Sequence, residues 1–335
     1  MHASILDCTL RDGSYANKFG FDAEFTSKFV KGLSDLSIEY IEIGHGLGLG
    51  ASSLGYGEAA ETDSTYIKSA YIEKQNSKIG CFFIPKIGSK EDINKAVDLG
   101  LDFIRIGTNP YEWKNAIPFI EYSKNLGLEV FYNCMKSYAL PQQELLVILN
   151  GLKSFELSGF YLVDSAGFMT PREVNKYITS LSAQNEVKIG FHAHNNLGLA
   201  LASSLEAVLS GAVLIDCTIK GIGRMGGNTQ LEIFHAICEK SQIASSLVNP
   251  NFNNLYEMID DSWMLDAPSI SPINKALGIG GIHSSIVPKF KEISKYSSKR
   301  VVALGGISER NLNLIKLTNS IGFAGISYFI KKKGP

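Results

Sequence analysis

Two histidines stand two residues apart in the stretch Phe191-His192-Ala193-His194. On a β-strand that spacing turns both imidazoles to one face, and two imidazoles on one face suit a single divalent metal. Near the amino terminus, Thr9-Leu10-Arg11-Asp12-Gly13 sets a guanidinium beside a carboxylate at the end of a short apolar run. Asp12 offers the anionic ligand that completes a set with His192 and His194. Asn228 offers either a further amide oxygen or the cap of a helix beginning at Thr229. Two nitrogens, one carboxylate and vacant positions favour octahedral Mn²⁺ or Mg²⁺, with Zn²⁺ or Co²⁺ as alternatives. Three protein ligands with vacancies describe a catalytic rather than a structural centre. Such a centre would chelate a 2-oxo acid and stabilise its enolate. Arg11 would then set its guanidinium on the enolate oxygen, its competing role being a structural ion pair. Ser165, in Asp164-Ser165-Ala166-Gly167, would hydrogen-bond the substrate carboxylate, or serve as an ordinary turn residue.

These residues need elements that bring distant segments together. Eight short apolar runs alternate with helical spacing: Ile5–Leu10, Tyr40–Ile43, Ile79–Ile84, Phe103–Ile106, Glu129–Cys134, Phe160–Val163, Lys188–His194 and Leu214–Ile219. Helical segments between them include Asp92–Leu99, Glu112–Leu126 and Glu144–Leu157. Thr170-Pro171-Arg172-Glu173 carries a cap residue, a proline at the first helical position and an acid in the first turn. Gly100, Gly127 and Gly211 stop helices before the next strand. The pattern predicts an α/β fold, a (β/α)8 TIM barrel. An open doubly wound sheet is the rival, and no G-x-G-x-x-G follows the first strand to support it. In a closed barrel, strands one and seven both border strand eight, so Asp12 converges on the histidine pair at the carboxyl ends, where barrel chemistry sits.

The texture changes near Asn249-Pro250-Asn251. Residues 1–250 read as the catalytic barrel, and 251–335 as a small, mainly helical C-terminal domain with helices at Leu255–Met264, Ser284–Lys295 and Glu309–Thr318. Val301–Gly306 has the look of a strand with a glycine-rich phosphate loop. With eight strands already assigned, it is placed in the appendage.

The chain has 335 residues, 45% hydrophobic and 19% charged, enough for a large core. Lys plus Arg number 32 against 33 Asp plus Glu, which gives no basic footprint for nucleic acid and no polybasic membrane patch. Nothing approaches the ~20 apolar residues of a membrane span, and no signal peptide is visible. Five scattered cysteines without a C-x-x-C pair point to reduced thiols and a cytoplasmic setting.

Taken together these motifs resemble the DRE-TIM metallolyase superfamily, and within it the 4-hydroxy-2-oxovalerate aldolases. Thr9–Gly13 is similar to the family's first-strand motif, His45–Gly57 to the aldolases' glycine-rich second-strand loop, Phe191–Ala200 to the metal-histidine strand, Gly221–Glu232 to the last barrel loop, and Gly278–Phe290 to a helix start in the C-terminal domain. The resemblance implies Asp12, His192 and His194 as metal ligands, Arg11 on a pyruvate enolate and Ser165 at the pyruvate carboxylate. It implies pyruvate and an aldehyde as substrates. It also implies a homodimer, or a complex with an aldehyde dehydrogenase that receives the aldehyde through a channel.

Two positions depart from the family. The aldolases carry a histidine where this chain has Tyr15, and a tyrosine before Ser-Ser where it has His283. The two types are exchanged. The expectation is that Tyr15 and His283 meet over the metal and that His283 is the acid/base, an unperturbed histidine near 6.5 suiting that role better than a tyrosine near 10. The exchange also bears on the acceptor aldehyde. Neither the glutamine or acid of the condensing branches nor the last-loop cysteine of the acyl-CoA lyases is present: Ser14-Tyr15 and Arg224-Met225 stand in those regions. Alternatives are a Claisen-type acyl-CoA condensing enzyme or lyase of the same superfamily, a Schiff-base aldolase using Lys136 or Lys220, and a non-catalytic metal-binding barrel subunit.

Overall fold

A computed structural model describes residues 1–260 other than 185, 186, 246, 248 and 249, together with 263, 277, 281, 283, 302–304 and 322–324. Eight strands run parallel and in chain order: β1 (His2–Asp7), β2 (Tyr40–Ile43), β3 (Lys78–Phe83), β4 (Phe103–Thr108), β5 (Glu129–Cys134), β6 (Gly159–Asp164), β7 (Ile189–Ala193) and β8 (Leu214–Cys217). β1 pairs with both β2 and β8, so the sheet closes on itself. The fold is the (β/α)8 TIM barrel. Helices α1 (Ala23–Asp35), α2 (Asp63–Glu73), α3 (Lys90–Asp98), α4 (Ile117–Asn125), α5 (Gln142–Leu152), α6 (Pro171–Ser182), α7 (Ala200–Leu209) and α8 (Leu231–Lys240) form the crossovers, and α9 (Asn253–Met258) follows. A short strand, β9 (Ala244–Ser245), pairs with the start of β1.

The two-residue alternation of the strands separates two cores. One set, including Ile5, Ile41, Ile79, Ile104, Val130 and Phe160, packs against the helices. The other points inward: Leu6, Tyr40, Phe103, Phe131, Tyr161 and Leu214. Four of these are aromatic and meet edge to face at 5.4–6.2 Å, a favoured arrangement of ring quadrupoles. The lumen makes room for them with small residues: a methyl group at Gly80 would collide with the Phe103 ring directly across the register. Above this aromatic floor the inward positions turn ionic, with Glu42, Arg105 and Asp216 fully buried.

Local signals act as read from the sequence at α6: the Thr170 side chain accepts from the Glu173 amide, Glu173 returns the bond, and Pro171 opens the helix. The expected helix Glu112–Leu126 is broken instead. A 3-10 segment, Pro110–Ala116, precedes α4, because Pro118 lacks the amide needed to continue a helix and so sits in a first turn. The segment Glu144–Leu157 likewise ends early, at Leu152, and turns through Glu156 at φ 49°. The first strand stops at Asp7 rather than Leu10; the amides of Arg11, Asp12 and Gly13 all turn back to the Cys8 carbonyl.

In the C-terminal region, α9 begins two residues before the first expected helix, Leu255–Met264, and overlaps its start to Met258. The expected helices at 284–295 and 309–318, and the loop glycines at 305 and 306, lie outside the described residues. Val302–Leu304, expected within a helical appendage, is a strand paired in parallel with Gly322–Ala324, apart from the barrel sheet; its β-branched start suits a strand better than a helix. Among the described residues no helix is long and apolar enough to cross a membrane.

Candidate metal centre and active-site cavity

The turn after β1, the end of β7 and the loop after β8 meet at the carboxyl mouth of the barrel. Ligand atoms of Asp12, His192 and His194 lie within 4.8 Å of one another, all three residues buried. The two Nε2 atoms are 3.5 Å apart, and His194 Nε2 is 3.9 Å from Asp12 Oδ2. His192 Nδ1 donates to Asp216 Oδ2 at 2.8 Å, which fixes the tautomer and leaves Nε2 with its lone pair toward His194. Two imidazole nitrogens and a carboxylate oxygen converging in a buried space form a donor set that suits a cation.

Asp216 belongs to a chain of hydrogen bonds that runs across the lumen from one ligand to another. Arg105 Nη2 donates to Asp216 at 2.6 Å and Arg105 Nη1 to Glu42 Oε2 at 3.0 Å. Arg11 Nε donates to the same Glu42 oxygen at 2.7 Å and Arg11 Nη1 to Asp12 at 2.8 Å. Three carboxylates face two guanidiniums along this chain, so the buried array keeps an excess negative charge, which further suits a divalent ion. Burial alone would raise the Asp12 carboxyl, but the Arg11 guanidinium beside it holds it well below the usual range. Burial pushes the His194 imidazole down to about 3, keeping it a neutral donor.

Asn228 bridges back to His194 through the backbone, and its Nδ2 donates to Asp12 Oδ2 at 2.7 Å and to the Ile222 carbonyl at 3.1 Å. It does not cap the next helix, where Gln230 holds the capping position. Its amide oxygen is buried with no hydrogen-bond partner among the described residues. The close approach depends on Gly223, where a Cβ would collide with the Asn228 amide. A second cluster, Cys8, His192 and Asp216, also has ligand-like spacing. It fits a metal poorly: burial pushes the Cys8 thiol far up, and Asp216 Oδ2 already accepts from Arg105 and His192.

The triad opens into a cavity of about 340 Å³ that Arg11, Ser165, Tyr15 and His283 also line. Arg11 therefore has both roles weighed for it, an ion pair and a guanidinium on the cavity wall, and it lies 4.8 Å over the Phe82 ring. Ser165 Oγ accepts from the Lys136 amide at 3.1 Å, which leaves its hydroxyl proton free for a ligand. Tyr15 sits at the end of a 3-10 turn against Phe19, and the Arg224 guanidinium lies 5.4 Å over its ring. Tyr15 and His283 thus share one cavity with the triad. The His283 environment differs from the unperturbed one assumed above: burial, then Arg224 and Lys136, push its imidazole down to about 2. Lys136 lines the cavity. Lys220 does not; its ammonium donates to the Ile259 carbonyl at 2.9 Å beneath the Tyr256 ring, which removes it as a Schiff-base candidate.

The sequence reading missed Glu42, Arg105 and Asp216. A signal existed: each is the one charged residue, at an inward position, of an otherwise apolar strand core, in Tyr-Ile-Glu-Ile, Phe-Ile-Arg-Ile and Leu-Ile-Asp-Cys.

Comparison with known proteins agrees with this geometry. The HMGL-like family profile matches residues 2–260. The chain belongs to the HMGL-like family. The superfamily resemblance read from the motifs is borne out by this match. Among relatives of this HMGL-like chain, a 4-hydroxy-2-oxovalerate aldolase of Carboxydothermus hydrogenoformans is 35% identical over 289 residues, 84% of each chain. One from Burkholderia pseudomallei is 33% identical over 291 residues, 87% of this chain and 84% of the relative. A crystal structure of the N-terminal domain of a Bacteroides vulgatus protein, provisionally described as an aldolase, superposes with a TM-score of 0.70. It is 27% identical and covers 88% of this chain and 97% of its own.

Proposed function

We propose that this HMGL-like protein is a divalent-metal-dependent aldolase that cleaves or forms 4-hydroxy-2-oxo acids through a pyruvate enolate. The observation that carries this reading is the convergence of Asp12, His192 and His194 on one buried point beside Arg11. The names of the relatives favour an aldolase over the acyl-CoA alternatives and over a non-catalytic metal-binding subunit. Asp12, His192 and His194 would hold Mn²⁺ or Mg²⁺, with Asn228 Oδ1 as a further donor. When bound, the ion supplies Lewis-acid polarisation of a keto oxygen.

The chain's own residues account for the rest. Glu42 and Asp12 fix two nitrogens of Arg11, so its guanidinium meets an enolate oxygen without reorganisation. Ser165 donates to the pyruvate carboxylate. In cleavage, the C4 hydroxyl loses its proton to a base, the C3–C4 bond breaks to give aldehyde and enolate, and the same protonated base returns the proton to C3, which becomes the methyl of pyruvate. His283 is the base in this reading, assisted by Tyr15. Its depressed imidazole is neutral at pH 7 and gains basicity when an anionic substrate offsets the Arg224 and Lys136 charges. The test is deuterium exchange into the pyruvate methyl group, followed by NMR. Exchange should require added Mn²⁺ or Mg²⁺, stop with EDTA, and fall at least about 100-fold in His283→Ala. Metal-independent exchange, or an unaffected His283→Ala, would refute the respective assignment. The residue 250 boundary, the cytoplasmic setting and the homodimer or dehydrogenase complex belong to the same proposal. Five buried free cysteines support the reducing setting.

A further inference from the structure

The cavity holds more positive charge than a 2-oxo acid needs. Arg11, Lys136 and Arg224 line it, against one lining carboxylate, Asp12. Arg11 is neutralised by Asp12 and Glu42. Among the described residues no carboxylate makes a direct ion pair with Lys136 or Arg224, although the Glu112 charge reaches Lys136 and the Asp12 charge reaches Arg224, and Arg224 Nε is buried without a hydrogen-bond partner. A buried guanidinium nitrogen left unbonded costs stability unless a ligand completes it.

Both cations are held in place by backbone contacts. The loop carrying Arg224 is clamped by Gly226 N to Asn196 Oδ1 at 3.0 Å, by Asn195 N to the Gly227 carbonyl at 2.8 Å, and by the Asn228–Asp12 bond. Lys136 takes a left-handed backbone, φ 57°, tied to Ser165 through its amide. The Arg224 guanidinium lies over the Tyr15 ring, and its charge reaches Tyr15, Lys136 and His283 as well as Asp12 and His194, which places it between the exchanged pair and the triad.

We propose that Arg224 and Lys136 form an anion subsite, and that the aldehyde handled by this enzyme carries a carboxylate or a phosphate. The inference rests on the aldolase reading. Arg11 and Ser165 already serve the oxygens of the 2-oxo acid, so the second pair of cations is left for the acceptor. A fork of guanidinium donors with an ammonium beside it matches either anion.

The test compares condensation of pyruvate with propanal, succinic semialdehyde and glyceraldehyde 3-phosphate, using the full chain with Mn²⁺. The expected kcat/KM ratio of an anionic aldehyde over propanal is at least about tenfold, and Arg224→Met lowers it by about 10- to 100-fold, the worth of a charge-assisted hydrogen bond. Arg224→Lys retains part of the ratio, and Lys136→Met lowers it independently. Whichever anionic aldehyde is preferred distinguishes carboxylate from phosphate. A wild-type enzyme that exchanges pyruvate methyl protons yet prefers propanal, or whose ratio is unmoved in both methionine variants, overturns this inference and leaves the aldolase reading standing. An enzyme without exchange overturns both.

Discussion

At the scale of single residues, Glu42 has the widest reach. One of its oxygens accepts from both Arg11 and Arg105, and its side chain is fully buried. Those arginines in turn hold Asp12 and, through Asp216, His192. Glu42→Gln leaves two buried guanidiniums short of charge, and breaking a buried pair in this way costs roughly 3–5 kcal/mol. Urea unfolding should show that loss as a lower midpoint with an unchanged m-value. A loss under about 1 kcal/mol would mean the ionic layer is not held as the hydrogen bonds indicate.

At the scale of elements, strands deliver the chemistry and turns aim it. The histidine pair rides on β7, where alternation sends both rings to one side. Asp12 is aimed by a turn folded onto the Cys8 carbonyl, and Asn228 by a loop that only a glycine at 223 lets close. Helix starts carry separable increments of stability. Thr170→Ala removes one side of the α6 capping box and should cost about 0.5–2 kcal/mol in a denaturation assay. α6 lies on the outer layer of the barrel, so pyruvate methyl exchange by the variant should stay within about twofold of wild type once both are folded.

At the scale of the whole molecule, closure of the barrel buries charges that a single sequence leaves unpaired. Asp7 is an example away from the metal centre. Burial pushes its carboxyl up to about 7, against the pull of Thr9 hydrogen bonds. The folded state therefore keeps a proton that the unfolded chain releases above about pH 4, and stability falls as pH rises from about 4 to 7. Asp7→Asn removes that titration. From pH 5 to pH 8 wild type should lose on the order of 3 kcal/mol relative to the variant; an unchanged difference across that range would sink the assignment. The eight strands, the Thr170 cap and the His192 and His194 pair were legible in the sequence, because alternation, capping and two-residue spacing are local properties of a chain; Asp12 joined the pair only through the expected closure of the barrel. The break before α4 was written in Pro118 and went unread. The chain of charges through Glu42, Arg105 and Asp216 was not legible as a chain. Its members lie 63 and 111 residues apart along the sequence, and their partnership exists only once β2, β4 and β8 close around one lumen. The same holds for Arg224 and Lys136: each is an ordinary loop cation until tertiary structure turns both into the cavity, where among the described residues neither makes a direct ion pair with a carboxylate.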